Sequence, residues 1–180
     1  MLKFQARLLR PARPETADWA FFVLPSDISA ALPSRSQVSV EGQLQSVAFE
    51  TTLEPDGKGG HWMRVAAELM NAARAAPGDT VVVTMSALAR EPEPVVPEDW
   101  AAALAAQPAA RATWDDITPV ARRDWIQWIS SGKKAETRAK RIATACDMLA
   151  KGKRRACCFD RSGIYSGAFS APEAADQADA

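Results

Sequence analysis

The stretch Arg90-Glu91-Pro92-Glu93-Pro94-Val95-Val96-Pro97 constrains this chain most. Proline has a fixed φ and no backbone donor, so this density of prolines excludes a regular helix or a central strand. The stretch reads as a stiff extended strap and therefore as a module boundary. The residues before it read as strands and those after it as helices, so the 180 residues divide into two unlike parts.

In the first part, Leu2 to Leu9 alternates apolar and polar side chains, the period of a half-buried strand. Trp19-Ala20-Phe21-Phe22-Val23-Leu24 is a continuous apolar run that Pro25 closes, as expected of a strand buried on both faces. Ser26-Asp27 can cap a short helical turn through Ala31. Gln37 to Gly42 and Ser46 to Leu53 alternate again and predict a hairpin with one wet face. The loop Glu54-Pro55-Asp56-Gly57-Lys58-Gly59-Gly60 then predicts a second reversal into His61-Trp62-Met63-Arg64-Val65. A helix over Ala66 to Ala75 precedes Thr80 to Met85, the most β-rich run, which reads as a central strand. About six strands and one short helix are consistent with a small barrel.

In the second part, Glu98-Asp99 place acid at the start of a helix that runs through Ala106, which suits the helix dipole. Pro108 breaks that helix, and Ala110 to Asp115, with Trp114, forms a short connecting turn or helix. Thr118 is a strong N-cap with Pro119 at the first helical position. Ala121, Trp125, Trp128 and Ile129 then share one apolar stripe, and Arg122, Arg123 and Gln127 lie away from it. Ser130-Ser131-Gly132 ends this helix. The next buries Ile142, Ala145, Cys146 and Leu149, pairs Glu136 with Lys140 on its open side, and reaches a C-cap at Gly152.

Formal charge is zero over the whole chain but uneven along it. Residues 133–155 carry nine Lys/Arg and two Asp/Glu, a local net of +7, against −4 before them and −3 after them. A wholesale basic nucleic-acid binder is therefore excluded. No apolar run is long enough to span a membrane and the N-terminus has no apolar core of a signal peptide, so the expectation is a cytoplasmic protein without membrane insertion. Three cysteines clustered late do not form a secreted disulfide framework.

Several of these features together resemble a known bacterial family, the bacteriocin-protection, YdeI/OmpD-associated family, preceded by the domain of unknown function that commonly accompanies it. The carrying residues are Val40-Glu41-Gly42, the glycine loop from Glu54 to Trp62, Gly78 to Val83, and Val96-Pro97-Glu98-Asp99-Trp100 with Ala103-Leu104. Further along they are Trp125-Ile126, Ile129, Lys133-Lys134, Glu136-Thr137-Arg138, Arg141-Ile142 and Leu149. The resemblance implies a split β-barrel of the kind also seen in dimeric DNA-binding regulators, followed by a helical module. It implies no established enzyme activity.

The expected fold is α+β, a small split β-barrel followed by a C-terminal helical module. Residues 1–90 form the barrel domain, 91–116 the Pro-rich strap and short helices, 117–159 the YdeI/OmpD-associated helical module, and 160–180 a largely disordered tail, Ala/Asp-rich from Ser170 on. The candidate anion site is the basic rim Lys133, Lys134, Arg138 and Arg141 with Glu136, extended by Arg154 and Arg155 at the helix exit, because clustered Lys/Arg gain from counterion release on binding phosphates. Against it stands a solvated, internally paired helix face, and Glu136 with Arg138, Arg141 and Arg122 could equally form a structural network. Cys157-Cys158 is a redox candidate, since Arg154, Arg155 and Arg161 would lower a thiol pKa, with buried hydrophobes the competing reading. No nucleophile elbow, phosphate loop or metal-ligand spacing occurs, so no catalytic residue, metal or cofactor is assigned. These features favour a non-enzymatic binding or stress-protection protein, whose partner is an unidentified protein or an anionic small molecule and whose oligomeric state the residues leave open. A nucleic-acid-binding regulator and an enzyme with an inter-module cleft are the alternatives.

Overall fold

The computed structural model describes residues 1–156 and 159–175. The chain falls into two compact units, Met1–Ala89 joined by the segment from Asp160 onward, and Arg90–Phe159.

The first unit is a nearly closed six-stranded antiparallel barrel. Its elements are β1 (Leu2–Arg7), β2 (Ala20–Val23), α1 (Ser26–Ala30), β3 (Val38–Leu44), β4 (Val47–Pro55), β5 (His61–Val65), α2 (Ala67–Ala73) and β6 (Thr80–Ala87). The strand order is β1-β6-β3-β4-β5-β2. A bridge between Leu9 and Phe21 brings the chain after β1 back to β2 and nearly completes the circle. Closure of this kind removes the exposed edges that an open sheet would present. The alternation in the sequence decides which side chains point in. Val38, Val40 and Leu44 of β3, Val81, Val83 and Met85 of β6, and Met63 and Val65 of β5 are buried in one cluster with Ala20 and Phe22. Burying each large member contributes about 1.5–3 kcal/mol.

β2 is buried on both faces. Phe21 points away from the barrel interior yet is only 1% exposed, packed edge-on against Trp62 and beside Trp19, the three rings in mutual contact. At Gly42 a Cβ would lie 2.0 Å from the Thr84 carbonyl oxygen, so β3 and β6 approach more closely there than any side chain permits.

The second unit contains α3 (Glu98–Ala105), α4 (Pro108–Asp116), α5 (Pro119–Ser130) and α6 (Ala135–Ala150). Trp100 and Leu104 of α3, Ala110 and Trp114 of α4, Trp125 and Ile129 of α5, and Ala145, Cys146 and Leu149 of α6 form one core. The short helices within 91–116 share their core with α5 and α6. Pro108 opens α4 as its first residue instead of merely ending α3, because proline suits the first helical turn, where no donor is needed. Thr118 caps α5 by accepting from the Ala121 N–H at 3.3 Å. Gly152, at φ +76°, ends α6 with its N–H on the Leu149 carbonyl and the Lys153 N–H on the Met148 carbonyl, the double bond of a left-handed cap.

Residues 160–175 depart from the disordered tail that their small polar composition predicts. They return to the barrel, where the Ala12 N–H donates to the Glu173 carbonyl and the Ala175 N–H to the Arg10 carbonyl. Near the start of the segment, the Asp160 carboxylate accepts from the N–H groups of Ser162, Gly163, Tyr165 and Ser166 and from both serine hydroxyls. Local bonds of this sort replace the missing apolar content. Residues 176–180, the remainder of the predicted tail, lie outside the described residues.

Candidate functional site: the arginine-bonded helical unit

Most of the basic residues that the sequence singles out are occupied in holding helices together. Arg122 donates to the Trp114 carbonyl at 3.0 Å and the Asp115 carbonyl at 2.8 Å, and Arg154 donates to the Asp116 carbonyl at 2.8 Å. The exposed C-terminal carbonyls of α4, which has no basic residue in its own last turn, are thereby capped from elsewhere in the unit. Arg141 does the same for α5, donating to the Trp128 carbonyl at 2.6 Å and to the Ser131 hydroxyl, with its guanidinium 5.6 Å from the centre of the Trp128 ring.

Carboxylates complete the pattern. Arg122 and Arg123 bind Glu93 and Glu91 at 2.7 and 2.6 Å, which pins the Pro-rich strap to α5. Arg154 also binds Asp116, and Arg155 lies 3.9 Å from Asp124. Arg138 takes Asp99 bidentately and also reaches Ser130. That bond holds the Asp99 carboxyl below its ordinary range and raises the Arg138 guanidinium.

The structure therefore separates the candidate residues. Glu136 does not join Arg138 and Arg141 in a network; it pairs with Lys140 one turn along, at 2.7 Å, and both side chains are exposed. A carboxylate in the first turn of α6 points outward with its helix row, whereas Arg138 lies on the row facing α3. Arg154 and Arg155 are exposed and engaged with Asp116 and Asp124. Lys133 and Lys134 are exposed and have no ion pair among the described residues. Lys134 is the N-cap of α6, whose first turn has no side-chain cap, so two lysines flank free main-chain donors. Cys157 and Cys158 lie outside the described residues.

Sequence reasoning missed the second face of α5. Arg123, Asp124 and Gln127 lie away from the apolar stripe, yet Asp124 is 3% and Gln127 8% exposed. Among the described residues the Gln127 amide has no hydrogen-bond partner at either its nitrogen or its oxygen, and neither do the indole N–H groups of Trp100 and Trp125. Helical periodicity marks only the apolar stripe, so a buried polar stripe carries no signal in it.

His61 belongs to the barrel unit. Its Nε2–H donates to the Ser36 carbonyl at 2.9 Å, which leaves Nδ1 to accept from the Ser29 hydroxyl at 2.8 Å. Burial pushes its pKa down, and the Ser36 bond and the Asp56 charge oppose this only in part. A fully buried ring bonded at both nitrogens is a tie between α1, β5 and the approach to β3. Among the described residues no three His, Cys, Asp or Glu side chains gather where they could hold a metal, and no helix is long and apolar enough to cross a membrane.

Two family models match the chain, in the order that the sequence suggests. Residues 4–85 match a domain of unknown function (DUF1905), and residues 93–152 match the family described as bacteriocin-protection, YdeI or OmpD-associated. No curated protein matches the chain. The first match covers the barrel strands from Phe4 to Met85, and the second covers the strap from Glu93 onward and all four helices of the second unit. The helical unit thus carries a module that matches the bacteriocin-protection, YdeI or OmpD-associated family, and the barrel unit ahead of it matches the domain of unknown function.

Proposed function

We propose that this is a non-enzymatic binding protein of the bacteriocin-protection type, active in the cytoplasm, that takes an anionic ligand at the start of α6. One observation supports this reading above the others: Lys133 and Lys134 have no ion pair among the described residues, while Arg138, Lys140, Lys151, Arg154 and Arg155 are ion-paired within the unit. Unpaired ammonium groups beside uncapped helix N–H groups favour an oxyanion. Nucleic acid is the less favoured occupant, because a phosphate track requires many free cations and most of these are spent on carboxylates. The family's description supports the protective role, and the two lysines support an anionic ligand.

Pyrophosphate titrated into the ¹⁵N-labelled protein tests the reading. Saturable shifts centred on Lys133 to Arg138, weakened by added salt and removed in Lys133→Gln/Lys134→Gln, are expected. Absence of saturation, or shifts that survive the double substitution, would overturn it.

A further inference from the structure

The returning segment encloses a cleft on the outer face of the barrel. Its volume is about 370 Å³, and its lining includes Leu9, Phe21 and Val23 on the barrel side and Ser170 to Ala174 on the other. That volume is near the lower end of the roughly 300–1,000 Å³ typical of small-molecule sites. The segment is held at both ends of the cleft. At one end Gly57 allows the Phe169 main chain to close on the β4–β5 turn, since a Cβ on Gly57 would lie 2.2 Å from the Phe169 carbonyl oxygen. At the other, Glu173 and Ala175 exchange main-chain hydrogen bonds with Ala12 and Arg10. Between these anchors Ser170, Ala171 and Pro172 have no hydrogen bond to the barrel among the described residues, so their main-chain groups stay open along one wall.

The charged lining is of both signs. Lys58 and Glu173 are exposed and have no ion pair among the described residues. Asp56 uses a single oxygen, Oδ1, to accept from the Lys58 and Gly60 N–H groups at 2.7 and 2.8 Å, which leaves its second oxygen without a bond among the described residues. The floor between these groups is apolar. A ligand that satisfies such a lining has an apolar body, one carboxylate for Lys58 and one ammonium for Glu173, and amide groups for the open main chain.

We infer that the cleft binds a small zwitterion with apolar side chains, of the size and chemistry of an apolar dipeptide. The site is independent of the α6 lysines, so either can fail without the other. L-leucyl-L-leucine titrated into the full chain, followed by ¹⁵N shifts and calorimetry, tests the inference. Shifts confined to the neighbourhood of Val23, Lys58 and Ser170 to Glu173 are expected, with tenfold or greater weakening for the N-acetylated or C-amidated peptide. Lys58→Met should abolish the preference for the free carboxylate, and Glu173→Gln that for the free amine. Both substitutions are at exposed side chains and leave the fold intact. No saturable shift, shifts centred elsewhere, or blocked peptides that bind as well as the free one would each overturn it.

Discussion

Arg138 grips Asp99 through two bonds, Nε to Oδ2 at 2.6 Å and Nη2 to Oδ1 at 2.8 Å, and so ties the middle of α6 to the first turn of α3. Arg138→Lys cannot reproduce the fork, because an ammonium presents no planar pair of donors. Both side chains are partly exposed, so the expected loss is about 1 kcal/mol or less, read as a lower melting temperature that added salt narrows. Asp99 has a folded pKa below 3.8, so its contribution is complete above that value and is lost as pH falls below it.

The His61 tie makes the barrel acid-sensitive at higher pH than its carboxylates do. The folded pKa lies below 6.5, so the unfolded chain binds the proton more readily. The contribution is complete above about pH 6.5 and declines, by at most roughly 1.4 kcal/mol per pH unit, as pH falls from there toward the lowered folded value. Urea titrations at pH 7.5 and 5.5 should show this loss in the native protein and a smaller one in His61→Gln. Ser29→Ala should cost about 1–3 kcal/mol by leaving Nδ1 buried without its donor.

Gly57→Ala should release the returning segment while sparing the barrel. The position combines φ +75° with the 2.2 Å approach to Phe169, so alanine is strained in both respects. Faster amide exchange over residues 163–175, with protection in β3 and β6 unchanged, is the expected outcome.

Trp125→Ala should cost about 3–5 kcal/mol, since the side chain is fully buried among the helices. Trp125→Phe should cost much less than alanine, because the indole N–H it removes has no partner among the described residues to leave unsatisfied. Chemical denaturation of the two variants compares them directly.

The barrel and the helices were legible because each carries its own period. Val38, Val40 and Leu44 alternate and are buried together, and Ala121, Trp125 and Ile129 recur at helical spacing and share one core. Thr118 and Gly152 mark helix ends through chemistry local to a few residues. The buried polar pair Asp124 and Gln127 was not legible, because nothing in a helical repeat separates a polar side chain in water from one enclosed by protein. Nor was the destination of residues 160–175, whose order comes from the Asp160 bonds and the close approach at Gly57.

By itself, then, the sequence determined the division at the Pro-rich strap and the type and ends of most elements, since these depend on backbone chemistry and short-range pattern. Only the tertiary structure decided what the arginines do. Arg122, Arg141 and Arg154 find main-chain carbonyls, and Arg138 finds an aspartate 39 positions away in the chain. Partner choice of that kind is set by where helices cross. Among the described residues it reduces the lysines of the rim without an ion pair to Lys133, Lys134 and Lys153, and it shows that a charge run in one dimension is mostly a set of bonds in three.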